Sequence, residues 1–263
     1  MKINNVAVDT LSSASDASSP FLGLQFAYVD ATAIQAKVNP KLPEATARIL
    51  MFDSAGNLKW FTFTGTQNID LDTDGVNGLE TVCKNAEGEE ANHNYHVYAV
   101  GTSAGTVGFL FVDTDDYASG PFDGGWALPS GYTYCSLPAW YVRNDGSSNL
   151  INFVDLNGHC VFHTAFSLGT PRRFLSSGAT TSYQDITSDY RTVVPPWAVG
   201  IITAYSTGSR FYLSSDGTTD DVDINLFDAG GTSVEFLWAF DSLHYKRSYG
   251  SANLLLTGQG WKR

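Results

Sequence analysis

The sequence predicts an all-β protein of antiparallel β-sandwich architecture, and three observations carry the prediction. Short apolar or alternating runs recur from residue 21 to residue 257, each cut by Gly, Pro, Asn or Asp. Aromatic residues make up 13% of the chain (16 Phe, 13 Tyr, 6 Trp), a strand-like bias. Charged residues reach only 16%, against a usual value of ~25%. Surface polarity therefore falls to Ser, Thr, Asn and Gly, which suit strands and turns.

Along the chain, residues 1–19 hold the run Ser12-Ser13-Ala14-Ser15-Asp16-Ala17-Ser18-Ser19, too polar to bury, and read as a flexible N-terminal arm. Strands are expected at 49–52, 58–64, 95–100, 107–112, 132–142, 150–154 and 160–166, then at 199–205, 210–214, 222–227, 234–240 and 254–257. Two turns have a mechanism. Asn157-Gly158 fits a type I′ hairpin because both residues tolerate positive φ. Asp53-Ser54-Ala55-Gly56-Asn57 joins 49–52 to the Trp60 strand as a longer hairpin. In 234–240, Val234, Phe236, Trp238 and Phe240 fall on one face at period 2, with Glu235 and Asp241 opposite. No stretch longer than one turn has a 3.6-residue period. Gly169, Pro171 and Ser176-Ser177-Gly178 interrupt the pattern, which places a boundary at 167–177. The expected division is a first β-sandwich over 20–166 and a second β domain over 167–263.

The chain has 27 acidic and 15 basic side chains, a net charge of −12. That excludes nucleic acid as a main partner, because phosphate binding needs a basic surface, and argues equally against an anionic membrane surface. The longest apolar stretches are strand length, short of the ~20 residues that span a bilayer, and residues 1–9 lack an apolar signal region. Cytoplasmic synthesis is the expectation. Cys83, Cys135 and Cys160 are an odd and sparse set, not a disulfide framework, and no CxxC pair suggests a zinc module.

Several motifs carry chemistry in other settings. Gly101-Thr102-Ser103-Ala104-Gly105 matches the G-x-S-x-G nucleophile elbow, but a strand follows where the elbow needs a helix, so a hairpin loop is expected. Asp70-Leu71-Asp72-Thr73-Asp74-Gly75 opens like an EF-hand calcium loop. Its twelfth position is Thr81, with Glu80 one residue early, so the reading is a solvated acidic loop. His159 and His163 share a strand face but stand ~13 Å apart, with Cys160 opposite, so one ion cannot collect all three. Asn92-His93-Asn94-Tyr95-His96 offers no fixed metal geometry. The acids at Asp113-Thr114-Asp115-Asp116 and from Asp216 to Asp223 supply paired carboxylates of the kind glycosidases use, and read as loop acids at a solvated rim. Among the tryptophans, Trp60 and Trp238 read as core, while Trp126 and Trp140 are candidates for a sugar-stacking platform. No catalytic residue, metal ligand or cofactor is assigned.

Asn77-Gly78-Leu79, Asn94-Tyr95-His96-Val97-Tyr98, Leu128-Pro129-Ser130-Gly131-Tyr132-Thr133, Arg143-Asn144-Asp145-Gly146, Ile151-Asn152-Phe153, Val194-Pro195 and Phe211-Tyr212-Leu213-Ser214-Ser215 occur in that order. Together they resemble a module of uncharacterised tailed-bacteriophage and prophage virion proteins, over about residues 45–260. Asn94 stands where the module has Trp, 113–126 has the character of an insertion, and 135–140 replaces a basic stretch. The resemblance implies a virion component, of tail-fibre, tail-adaptor or capsid-decoration type, assembled in the host bacterial cytoplasm. It implies other virion proteins as partners, a homotrimer by the cyclic symmetry of such appendages, and contact with a host-surface glycan. It implies no enzymatic activity and no functional residue. The alternatives are a carbohydrate-binding module and a glycan-cleaving enzyme built on the paired acids.

Overall fold

The computed structural model of the chain describes residues 20–41, 45–80, 90–113, 121–122, 125–155, 159–162, 173–191, 194, 199–206, 209–225, 233–250 and 254–262. The arm at 1–19, the Asn157-Gly158 turn, His163 and residues 167–172 lie outside them. The chain divides into two units, Met1–Ile151 and Asn152–Arg263. The all-β class holds for both: among the described residues the only helix is the five-residue α1 (Thr187–Arg191). No helix among these residues is long and apolar enough to cross a membrane.

The first unit contains β1 (Phe21–Leu22), β2 (Leu24–Tyr28), β3 (Ala33–Val38), β4 (Thr46–Phe52), β5 (Leu58–Thr64), β6 (Thr66–Asp74), β7 (Gly78–Leu79), β8 (Asn94–Thr102), β9 (Val107–Asp113) and β10 (Tyr132–Arg143). They pair in the order β5-β4-β10-β8-β9-β7-β6-β3-β2, with β1 also on β4. All pairs are antiparallel except those of β7, which runs parallel to β6 and β9. The sheet folds over its own interior. Phe26 of β2 stacks on Trp140 of β10 at 5.3 Å and meets Phe109 of β9 edge-on, and Phe63 of β5 meets the same Phe109 from the far end of the order. Such pairs stabilise by about 0.5–1.5 kcal/mol each beyond area burial.

Both expected hairpins within the first unit form. Between β4 and β5, Asp53 Oδ1 accepts the amides of Ala55 and Asn57, and Gly56 takes φ 80°, a left-handed conformation open to glycine. Between β8 and β9, Thr102 closes the G-x-S-x-G segment as a turn, its carbonyl accepting Gly105 N–H and its hydroxyl accepting Thr106 N–H. This is strand–turn–strand, not a nucleophile elbow. The twelve-residue β10 contains Pro138, which has no N–H to donate. Its register against β8 shifts on both sides of Pro138, and Ser136 Oγ fills the ladder by accepting Ala99 N–H at 3.0 Å.

The second unit contains β11 (Phe153–Asp155), β12 (His159–Phe162), β13 (Arg173–Gly178), β14 (Gln184–Asp185), β15 (Val199–Tyr205), β16 (Ser209–Ser214), β17 (Val222–Asn225), β18 (Ser233–Trp238), β19 (His244–Gly250) and β20 (Leu254–Lys262). One sheet runs β11-β12-β20-β15-β18, with β13 also on β20, and a second runs β14-β19-β16-β17. The sheets approach where a Cβ on Gly178 of β13 would meet the Tyr245 ring of β19 at 2.6 Å. Helix α1 is held by its last residue: Arg191 donates to the Asp241 and Phe240 carbonyls and pairs with the Asp241 carboxylate at 3.1 Å.

Several expectations need correction. The division falls at Ile151/Asn152, not at 166/167, because β11 and β12 pair with each other and β12 pairs with β20. Ser176-Ser177-Gly178 belong to β13, not to a linker. Leu150 makes only an isolated bridge to Asn144, so the strand expected at 150–154 begins at Phe153. Trp60 is 39% exposed, since β5 buries the alternate residues Phe61 and Phe63, and the Arg48 guanidinium covers its ring from 5.0 Å. Trp238 is buried as expected, but Phe240 lies beyond the end of β18 and is 48% exposed. Trp126 and Trp140 are core residues, 4% and 0% exposed, and cannot stack sugars.

These placements separate the two tryptophans of the first unit by magnitude. Trp140→Ala should cost about 3–5 kcal/mol, the range for truncating a buried large aromatic. Trp60→Ala should cost no more than about 1 kcal/mol, the value of an exposed cation–π contact. Urea unfolding followed by far-UV circular dichroism checks this, and equal costs would contradict the assignment of Trp140 to the core.

Candidate functional site

Two polar clusters stand out, one in each unit. The first forms where three strands end together. Register places Asn94 opposite Arg143 and Tyr95 opposite Asp113, so the start of β8 meets the ends of β10 and β9. Asn94 Oδ1 accepts from the Tyr141 hydroxyl and from Arg143 Nη1 at 3.0 Å. Asn144 Oδ1 accepts His93 N–H at 2.7 Å, while its amide nitrogen donates to the Glu90 carbonyl. His93 then lies between two carboxylates, Nδ1 2.7 Å from Asp113 and Nε2 2.9 Å from Glu90.

Asp113 is therefore not a rim acid. It is 3% exposed, and the facing imidazole compensates its carboxylate. Thr114, Asp115 and Asp116 lie outside the described residues. Only the imidazolium form of His93 can donate to both carboxylates at once. With both nitrogens so engaged, the ring is not placed to take a proton from a nucleophile, as a Ser–His–Asp relay requires. The arrangement ties strand ends together.

The second cluster crosses the sheet β14-β19-β16-β17. Gln184 pairs with Tyr245, which sets Tyr183 beside Lys246; Lys246 pairs with Tyr212, and Tyr212 with Asp223. One cross-strand row thus reads Tyr183, Lys246, Tyr212, Asp223. The alternate residues Phe211, Leu213, Ile224 and Tyr245 are buried, so the row lies on the outward face. Lys246 Nζ sits 4.3 Å from the Tyr183 ring centroid and 5.1 Å from that of Tyr212, and Arg210 lies 5.3 Å from Tyr212 on the same face. Asp220 accepts from Lys246 at 2.7 Å and from the Tyr183 hydroxyl, and Arg210 grips Asp223 through Nε at 2.8 Å and through Nη2.

These bonds fix the charge states. The Lys246 hydrogen bond, then that of Tyr183, holds the Asp220 carboxyl below its usual range. Arg210 does the same for Asp223. Asp216 is held lower still, chiefly by the amides of Thr219 and Thr218, whose loop it closes. A glycosidase acid must be pushed the other way, to stay protonated near neutrality.

The remaining candidates are dispersed. Asp70, Asp72 and Asp74 belong to strand β6, not to a loop, and alternate with Ile69 and Leu71, which are buried at its inward-facing positions. Extended backbone spreads the first and last by ~13 Å. Among the described residues no group of three or more His, Cys, Asp and Glu could hold a metal ion. His159 and Cys160 lie on β12. Cys135 is a buried free thiol that desolvation pushes far above the usual range, which removes it as a nucleophile. Compared with family models, with curated proteins and with solved structures, the chain has no match in any of the three.

His96, three residues beyond His93, provides a pH test. Burial pushes its pKa down to about 4, and its ring packs against those of Tyr98 and Tyr141. The unfolded residue takes up a proton below about pH 6.5, the folded one only near 4. Between those values the unfolded state binds more protons, so stability falls as pH falls, by roughly 3 kcal/mol once pH reaches 4. Denaturation at pH 7, 5.5 and 4 should show a steeper loss in the wild type than in His96→Gln. Parallel curves would contradict the burial of this ring in neutral form.

Proposed function

We propose that the protein is a non-enzymatic structural component of a bacteriophage virion, a tail-fibre, tail-associated or head-decoration protein that contributes to host-surface attachment. One observation carries the reading. The ordered segments that resemble the phage module come together in space: Asn94-Tyr95-His96-Val97-Tyr98 on β8 pairs with the strand that opens at Tyr132-Thr133 and ends at Arg143, and Arg143 bonds Asn94 across 49 positions of sequence. Segments that meet along one ladder behave as parts of one module.

Three further features support it. The carboxylates of the second unit that could be read as catalytic are held ionised by neighbouring donors. A net charge of −12 disfavours nucleic acid as partner. The two β units suit a part that is assembled in the host cytoplasm and displayed on a particle as a homotrimer.

Particles purified from a lysate whose phage or prophage carries this gene, analysed by mass spectrometry, should contain the chain in stoichiometric amount. Its absence from intact particles would overturn the proposal. Light scattering on the isolated protein should give a trimer, and a monomer at micromolar concentration would remove the oligomeric part of it.

A further inference from the structure

We propose that the open edge of β5 (Leu58–Thr64) receives residues 3–11 of a neighbouring copy as an added strand, so that each chain of the trimer gives its N-terminal arm and takes another. The proposal deepens the homotrimer suggested above and rests on it.

The edge is built for a strand. Among the described residues β5 pairs with β4 alone and ends the pairing order. Asp53 N–H donates to the Asn57 carbonyl, and hydrogen-bonded pairs alternate from there. Lys59, Phe61 and Phe63 therefore bond β4, while Leu58, Trp60, Thr62 and Thr64 turn their N–H and C=O groups to the open side. Leu50, opposite Trp60, agrees: its N–H points away from β5, to the Pro20 carbonyl. Folded proteins blunt such an edge with a proline, a bulge or an outward charge. β5 has no proline, its register on β4 has no shift, and Lys59 bends back to the Ser103 carbonyl. Leu58 is 68% exposed beside the half-open Trp60.

Backbone groups in a row select an extended peptide, and charge selects which one. β4 and β5 contain no acid, and Asp53 of their hairpin is held by Ala55 and Asn57. Arg48 lies over Trp60, Lys59 stands on β5 itself, and neither pairs with a carboxylate among the described residues. A locally basic edge on a chain of net charge −12 favours an acidic strand. The chain carries one outside the described residues: Ile3-Asn4-Asn5-Val6-Ala7-Val8-Asp9-Thr10-Leu11, with β-branched Val6, Val8 and Thr10 on one face and Asp9 on the other. Residues 12–19 then form a tether of at most ~28 Å. It starts at Pro20, on the flank of β4 away from β5, so the chain's own edge lies across two strands and the arm leads outward. Giving on one side and taking on another is a heterologous contact, the kind that closes a ring.

The test follows the full chain by hydrogen–deuterium exchange at a concentration where light scattering gives the trimer. Residues 3–11 should be protected, and should exchange at least about tenfold faster in Thr62→Pro, which removes an outward donor and no bond to β4. Melting curves establish that the variant stays folded. Independently, a short bismaleimide applied to the Val8→Cys/Thr62→Cys double variant should give covalent dimers and trimers that neither single variant gives. A trimer whose arm exchanges freely, an arm equally protected in folded Thr62→Pro, or cross-links confined to single chains would each overturn the exchange. A monomer removes the trimer and this inference together, and particle mass spectrometry reads the virion role independently of both.

Discussion

The stacking of Trp140 on Phe26 closes the first unit, and much else depends on it. The two residues come from β10 and β2, strands separated by β8, β9, β7, β6 and β3 in the pairing order. A twisted sheet of that many strands needs to bury one face, and this contact does so by bringing distant strands of the same sheet face to face. Trp140 points inward because it pairs with Val97, which shares its face of β8 with Ala99, the partner of Phe109. Cys135 pairs with Val100, on the other face of the sheet. The register slips by one residue on each side of Pro138, and the two slips together preserve the facing of the strand. The Ser136 hydroxyl bridges the interruption by accepting Ala99 N–H.

Strands whose residues are branched or aromatic were legible in the sequence: β5, β9 and β15 stand within a residue of the expected bounds. Strands built from polar residues were not. β6 has only Ile69 and Leu71 facing inward, and its Asp, Asn and Thr residues carry a turn-like composition. It is a strand because β3 pairs with it over five positions, a tertiary fact no local pattern expresses. Serine-rich β13 read as a linker for the same reason, its pairing with β20 bridging a long stretch of chain.

Neither polar cluster was legible. Each depends on register between distant segments: His93 meets Asp113 only because Tyr95 pairs with that residue, and the tyrosine row exists only because β19 lies between β14 and β16. The signal available was the pair of acidic runs, and it pointed to solvated rims in both cases. That holds for the exposed Asp216 loop and fails for Asp113. The difference is placement: β9 carries Asp113 inward at the end of a buried strand, where its carboxylate needs a hydrogen-bonding partner and finds His93, whereas the loop after β16 keeps its acids in water.

The segment from Asp216 to Asp223 carries the physics one step further. Two like charges about 4 Å apart near a protein surface repel by roughly 4 kcal/mol, so four carboxylates in so short a stretch require individual treatment. Asp216 accepts the amides of its own turn, and Asp221 accepts Ser215 N–H. Asp220 takes Lys246 from β19, and Asp223 takes Arg210 from β16. Two are satisfied locally by backbone amides and two across strands by cations, so Lys246 and Arg210 offset two of the four acidic side chains and the other two are held by the turn itself. The same cations also lie over the Tyr183 and Tyr212 rings. Each ring therefore packs against a cation that is itself paired with a carboxylate, and the aromatic positions on this face are fixed by the same two ion pairs.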